Sequence, residues 1–254
     1  LRRAARTTAP ALLHVLHMDP FAGAGGGVQL HVRDLVRHTR LPRVLVAWPK
    51  GPAIQVAEIL DGEWHRALRY QFPVASRPER CKVRDDAMAD RFGELLHLFG
   101  VSAVHLHHLL GWPVALAEVL QARGLPYAYT IHDYYCVCPS LNLLDLSSRP
   151  IRRCSAESFD EAVCPACLAA YRRGWRETAT PLQVTDWNAH REAFRVLLRG
   201  AQRLIAPSRC ALQTATQGLG WSDGRTTIIP HASLLTEAPP RPLPGRSATR
   251  HGPL

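Results

Sequence analysis

Short apolar runs alternate with segments of helical period along most of the chain, and this alternation restricts the fold more than any single motif. Leu12 to Leu16 is an apolar run ending at His17, and Gly23, Gly25, Gly26 and Gly27 follow it closely. From Val28 the apolar residues Val28, Val32, Leu35 and Val36 recur at helical spacing, giving the order strand, glycine-rich turn, helix. Arg43 to Trp48 predicts a second strand stopped by Pro49 and Gly51, and the less regular part with Trp64 to Phe72 predicts another. Met88, Phe92, Leu95, Leu96 and Phe99 mark one helical face between Arg84 and Phe99, with Gly100 at the C′ position. Strand Val101 to Leu106, a helix opened by Pro113 and closed by Gly124, and strand Tyr127 to Ile131 come next.

Asp133 to Thr185 breaks the rhythm with prolines, cysteines and arginines and no sustained period. A segment of that length inside a domain is expected to be functional or held by a cross-link or metal. Regularity returns with a helix carrying Trp187, His190, Phe194, Leu197 and Leu198, a strand Arg203 to Ala206, a helix capped by Ser208 and running to about Gln217, and a strand Thr226 to Ile229. The expectation is an α/β fold: one parallel sheet flanked by helices over residues 11–235, with an irregular Cys-containing insertion at 133–185. Residues 236–254, rich in Pro and Arg, predict a disordered tail.

An apolar content of 46% over 254 residues supports a real core. The run Val101 to Leu120 is interrupted by His105, His107, His108, Gly111 and Pro113, so it cannot cross a bilayer as one helix, and no signal peptide is convincing. Beginning at Leu1 rather than methionine, the chain reads as processed, fragmentary or misassigned at its start. The net charge of +10 would ordinarily suggest an anionic partner, yet Lys50 and Lys82 are the only lysines among 31 basic residues. Such an arginine excess points to a G+C-rich coding sequence rather than to a nucleic-acid surface. Arg149, Arg152 and Arg153, and Arg172, Arg173 and Arg176, are either phosphate contacts or solvated faces.

Two places carry chemistry. The glycine run lies between a strand and a helix, where free backbone N–H groups and the helix dipole favour a phosphate; the alternative is a flexible turn. It lacks the spacing of a dinucleotide fingerprint and the Lys-Ser/Thr of a P-loop. His132 closes a strand on the edge where the first strand also meets its glycine loop, so both would open onto one cleft. Its imidazole is either a hydrogen-bond partner for a substrate oxygen or a structural strand end, and Asp133 would fix its tautomer or cap the following turn. His105, His107 and His108 also end a strand and are either cleft or rim residues. Ser208 either caps its helix or lines the cleft.

The chain has seven cysteines. Cys164 and Cys167 form a C-x-x-C pair, with Cys154 and Cys138 upstream. Four thiolates could satisfy a tetrahedral zinc that orders the insertion, against unligated reduced thiols, a disulfide or a redox pair. The redox pair is disfavoured because Cys164 is not expected to open a helix after a core strand. Cys136 is a spare ligand or a packed side chain, and Cys81 and Cys210 are read as core residues. Without an export signal, thiols stay reduced in a cytoplasmic protein.

Taken in order, Gly25-Gly26-Gly27-Val28, His132-Asp133-Tyr134-Tyr135, Cys138-Pro139, Asn142-Leu143-Leu144-Asp145, Ala206-Pro207-Ser208 and Ile229-Pro230-His231 form a recognisable set. The chain resembles the amino-terminal domain of family 4 glycosyltransferases, retaining enzymes of the GT-B type, in the subgroup acting on bacterial surface polysaccharides. The resemblance implies a Rossmann-like domain that faces a second one across a cleft. The partners it implies are a nucleotide-diphosphate sugar donor and a glycan or lipid-linked acceptor, with no nucleic acid. It also implies that Gly25, Gly26 and Gly27 approach the donor phosphates, that His132, with Asp133, meets the transferring sugar, and that catalysis requires no metal, leaving any zinc structural. Ala232 stands where that family more often has glycine, and no E-x₇-E donor motif follows. The donor domain is therefore expected to be absent, or supplied by a separate chain, and the chain to be inactive alone. Contact with the membrane is expected to be at most peripheral, at its inner face. A non-catalytic binding module that kept the fold is the alternative, and a metal-dependent nucleic-acid protein is a third reading.

Overall fold

The computed structural model describes residues 9–22, 26–75, 82–154, 160, 162–174, 184–220 and 225–231, with the backbone alone for 171–174 and 184–185. The apolar runs become strands β1 (Ala11–Val15), β2 (Arg43–Pro49), β3 (Ala53–Leu60), β4 (Leu68–Pro73), β5 (Val101–Leu106), β6 (Tyr127–Thr130), β7 (Leu144–Asp145), β8 (Arg152–Arg153), β9 (Arg203–Ala206) and β10 (Thr226–Ile228). Helices are α1 (Gly27–His38), α2 (Asp86–Leu98), α3 (Leu116–Ala122), α4 (Cys164–Gly174), α5 (Val184–Gly200) and α6 (Arg209–Leu219). Among the described residues the main sheet has eight strands in the order β10-β9-β6-β5-β1-β2-β3-β4. β1 pairs in parallel with β2 and β5, and β6, β9 and β10 extend the parallel part.

β3 and β4 depart from expectation, because they pair antiparallel to β2 and to each other. The turn before β3 is made at Gly51, whose φ of +56° a side chain rarely adopts, and the Lys50 N–H donates to the Ala53 carbonyl at 2.9 Å. Trp64–Arg66 is a turn of 3₁₀ helix rather than strand. Arg43, on β2, binds Glu58 of β3 at 2.6 Å, and Tyr70 of β4 donates to the same carboxylate at 2.8 Å, which ties the added strands to the sheet.

Alternation along β2 assigns the two faces. Leu45 and Ala47 join a cluster with Phe92, Leu95, Trp112, Leu116, Phe194 and Leu197, so α2, α3 and α5 cover one face. Val44, Val46 and Trp48 join Val32 and Val36 of α1 on the other. Parallel strands covered on both faces read as continuous apolar runs, which is why β1, β2, β5, β6 and β9 were legible. This is an α/β, Rossmann-like arrangement. No described helix is long and apolar enough to cross a membrane.

Local signals hold the helix ends. Asp85 caps α2 by accepting from the Met88 N–H at 3.0 Å, and the indole N–H of buried Trp112 donates to the Leu16 carbonyl at 2.8 Å, clamping the loop after β5 onto the end of β1. On α6, a Cβ at Gly218 would meet Val137 at 2.5 Å, so glycine there lets the helix lie against the segment after His132. The insertion is less irregular than its sequence suggests, since it contains the β7–β8 hairpin and α4.

Candidate functional site

From β1 the chain passes to β2 on one side and later returns with β5 on the other, so a crevice opens beyond the carboxyl ends of β1 and β5. Histidines occupy that position. His14 of β1 lies opposite His105 of β5 in the parallel register. His107 follows β5 directly and its backbone N–H donates to the Val15 carbonyl at 2.8 Å. His132 follows β6, His31 sits in the second turn of α1, and His231 follows β10.

The rings meet edge to edge and face to face. His14 Nδ1 lies 2.9 Å from His107 Nε2, and His107 Nδ1 lies 3.1 Å from His132 Nε2, an unbroken hydrogen-bonded row from the sheet interior to the crevice. His105 Nε2 hydrogen-bonds Thr130 Oγ1 at 2.7 Å. The His31 ring centroid is 5.0 Å from that of His132 and 4.4 Å from that of His231, and His231 stacks on His132 at 4.8 Å. Behind this group, His108 pairs with Asp133 at 2.8 Å and stacks on Tyr135.

Burial and mutual repulsion keep the row uncharged. Loss of hydration, then the neighbouring imidazoles led by His31 and His231, lower His132 to about 2. Burial and then His231 lower His31 to about 4, and burial followed by His31 lowers His105 to about 4. His14 and His107 are held well below the ordinary histidine value, first by burial and then by His105. At neutral pH these rings are therefore hydrogen-bonding groups and lone-pair donors rather than cations.

Gly26 is the N-cap of α1 and Gly27 its first residue; Gly25 lies outside the described residues. A Cβ at Gly27 would meet open space, so packing does not require glycine there. Gly27 stands one turn, about 6 Å, before His31 along the helix, which sets this helix start near His132. Of the two roles expected of Asp133, the structure favours the cap: its Oδ1 accepts from the Tyr135 N–H at 2.9 Å and its Oδ2 pairs with His108. The group beside His132 Nε2 is His107. The Ser208 hydroxyl accepts from the Ala211 N–H at 3.1 Å and caps α6.

The cysteines behave differently. Cys138, Cys154, Cys164 and Cys167 gather about the hairpin and α4, where Cys138 and Cys154 both help burial to raise Cys164 and Cys167. The Leu146 N–H donates to Cys167 Sγ and the Asp160 N–H to Cys164 Sγ, each at 3.3 Å. Yet both sets of three candidate ligand atoms within 4.8 Å of one another are all-histidine, so the sulfurs do not close into a cage. Cys164 opens α4, but this helix does not follow a core strand, as expected. Cys136 is a fully buried packed side chain, pushed up to about 12 chiefly by burial. Cys210, expected in the core, is exposed on α6, and Cys81 lies outside the described residues. Arg149, Arg152 and Arg153 are exposed, whereas Arg172, Arg173 and Arg176 have no described side chains.

His14, His31 and His231 were not singled out from sequence as site residues, because they are scattered along the chain and only the β1–β5 register and the placement of α1 and β10 bring them together. Of the comparisons with known proteins, the family model carries the conclusion. No curated protein matches the sequence. A secreted C11 cysteine protease from Bacteroides thetaiotaomicron, in complex with an irreversible peptide inhibitor, is similar over 48% of this chain and 42% of its own, at 10% identity and a TM-score of 0.29. A second structure of that protease is similar over 68% and 63%, at 6% identity and a TM-score of 0.30. The chain thus spans less than two thirds of either protease chain, and likenesses this weak carry no argument. The sequence model described as Glycosyltransferase Family 4, in contrast, matches residues 25–232, a span that includes Gly26, Gly27, His132 and His231, and the chain belongs to that family.

Proposed function

We propose that this chain is the acceptor-side half of a retaining glycosyltransferase, which moves a sugar from a nucleotide-diphosphate donor to a glycan or lipid-linked acceptor of a bacterial surface polysaccharide. The observation that carries it is the meeting, at the carboxyl edge of the sheet and within the family match, of the α1 start at Gly26-Gly27 and the neutral imidazole of His132. The free N–H groups at the start of α1 suit the departing diphosphate, whose charge grows as the glycosidic bond breaks. A neutral His132 accepts or donates one hydrogen bond to a sugar hydroxyl without placing a cation in the crevice. His107 occupies one ring nitrogen, so Nδ1 is the atom left for substrate. Transfer by this route needs no metal, and the donor nucleotide is held mainly by a second Rossmann-like domain, in this chain's own continuation or in a separate one. The site works on the cytoplasmic side, with at most peripheral contact at the inner membrane face.

Transfer of labelled sugar to membrane acceptors is the test. The 254-residue chain alone is expected to transfer nothing, and joining it to a family donor-binding domain is expected to restore turnover. Robust transfer by the chain alone would overturn the half-enzyme assignment. A zinc on Cys138, Cys154, Cys164 and Cys167 would have a structural role: it would draw the sulfurs to edges of about 3.8 Å, set by zinc–sulfur bonds of about 2.3 Å, and brace the loop after His132. Zinc held by the reduced chain and lost in Cys164→Ser supports that site, and a zinc content unchanged by that substitution refutes it.

A further inference from the structure

The imidazoles of the crevice form more than a hydrogen-bonded row. Two sets of three each bring one ring nitrogen per residue within 4.8 Å of one another: His14, His105 and His107, and His31, His107 and His132. The inner set is occupied by its own contacts, with His14 on His107 at 2.9 Å and His105 on Thr130 at 2.7 Å. The outer set opens on the crevice, since His31 and His132 are each partly exposed. Its His107–His132 nitrogen pair, 3.1 Å apart, is close to the edge of about 3.3 Å that two nitrogens span when each lies about 2.0–2.1 Å from a tetrahedral zinc.

Further features suit a metal. His231 packs against both His31 and His132, and a rotation of its ring would add a fourth nitrogen to them. His107 can donate its Nε2–H to His14 Nδ1, which fixes its Nδ1 lone pair toward His132 as an outer hydrogen bond fixes most metal-bound histidines. Imidazole nitrogens without a carboxylate among them select zinc, nickel, cobalt or copper over magnesium and calcium.

We propose that His31, His107 and His132 form a binding site for a divalent transition-metal ion, which a rotation of His231 completes. An ion on His132 Nε2 moves the ring proton to Nδ1, the atom left for the sugar, so that nitrogen no longer accepts a hydrogen bond and transfer slows; this consequence alone rests on the function proposed above.

Cobalt(II) titration of the reduced full chain tests the site, because imidazole ligation gives visible d–d bands without the near-ultraviolet sulfur-to-metal charge transfer of thiolates. In Cys164→Ser, which lacks the candidate thiolate site, the expected result is one ion per chain with the nitrogen-type spectrum. Its affinity should be weaker by at least about tenfold when His31→Ala is added. His31 is partly exposed on a helix that alanine favours, so this variant should fold. A thiolate-only spectrum, unchanged affinity in His31→Ala, or equally tight magnesium binding would overturn the site. Zinc that binds through these histidines yet leaves sugar transfer by the donor-domain fusion unchanged would overturn the role of His132 in transfer and leave the metal site standing.

Discussion

The crevice histidines and the insertion cysteines are both collections of potential ligands, and they are built in opposite ways. The cysteines lie close in sequence, within 138–167, but are spread over a loop, a hairpin edge and the start of α4, and their sulfurs do not close. The histidines are scattered from His14 to His231, but β1, β5, β6 and α1 are rigid elements, and the sheet register brings their nitrogens within hydrogen-bond distance. Closeness along the chain does not by itself set the ligand atoms close together here, whereas the shared sheet edge does. Leu141 and Leu143 make the contrast sharper: both adopt positive φ, at 68° and 50°, in the loop that leads from Cys138 to the hairpin. Side chains rarely adopt this conformation, and the surrounding structure must hold it.

Acid should separate the two regions most strongly. The histidines are depressed in the fold, so the unfolded chain binds more protons below about pH 6.5, and stability falls as pH drops from there toward 4. Each histidine kept neutral adds about 1.4 kcal/mol per pH unit to that slope, and His14, His31, His105, His107, His132 and His190 share the direction. The thiols of Cys164 and Cys167, raised chiefly by burial, stay protonated throughout and contribute nothing. Thermal unfolding between pH 7 and 5 should show a steep loss of Tm; a flat profile would mean that the row is charged or loosely packed.

His107→Ala comes next in size. It removes the middle of the row and leaves His14 and His132 each short of a buried partner, for an expected loss of about 2–4 kcal/mol in denaturant unfolding. In metal-free protein Cys167→Ser should cost less, about 1–2 kcal/mol, through its contacts with Leu144 and Leu146. A cost equal to that of His107→Ala would dissolve the contrast. If zinc raises Tm in the parent but not in Cys167→Ser, the insertion closes on metal as well.

The fold was legible where burial on both faces produces unbroken apolar runs, and where Ser208, Gly100 and Gly124 mark helix ends. β3 was missed because its run Ala53–Leu60 follows β2 across a turn of three residues, 50–52, and the breaks at Pro49 and Gly51 were read as the end of sheet structure rather than as a hairpin. α4 was missed because its cysteines and arginines give no apolar period. At the site, His132 and the glycine turn were readable from their places at element ends. The role of His107 was not, since a strand-end histidine looks the same in sequence whether it faces a crevice or solvent.

Gly27→Ala is the smallest expected effect and the cleanest check on the helix start. Open space around the Cβ position and a helical backbone predict a gain of about 0.4–1 kcal/mol in stability, while transfer by the donor-domain fusion falls if the diphosphate approaches that backbone. A loss of stability would show that the fold itself needs the glycine.

The most direct measurement is the turnover of that fusion with His132 replaced by alanine, in a variant whose cooperative unfolding is retained. A hydrogen bond made to the reacting sugar predicts that kcat falls by about 10²–10³. Unchanged kcat in a folded His132→Ala enzyme would contradict the placement of sugar transfer at this histidine-lined crevice.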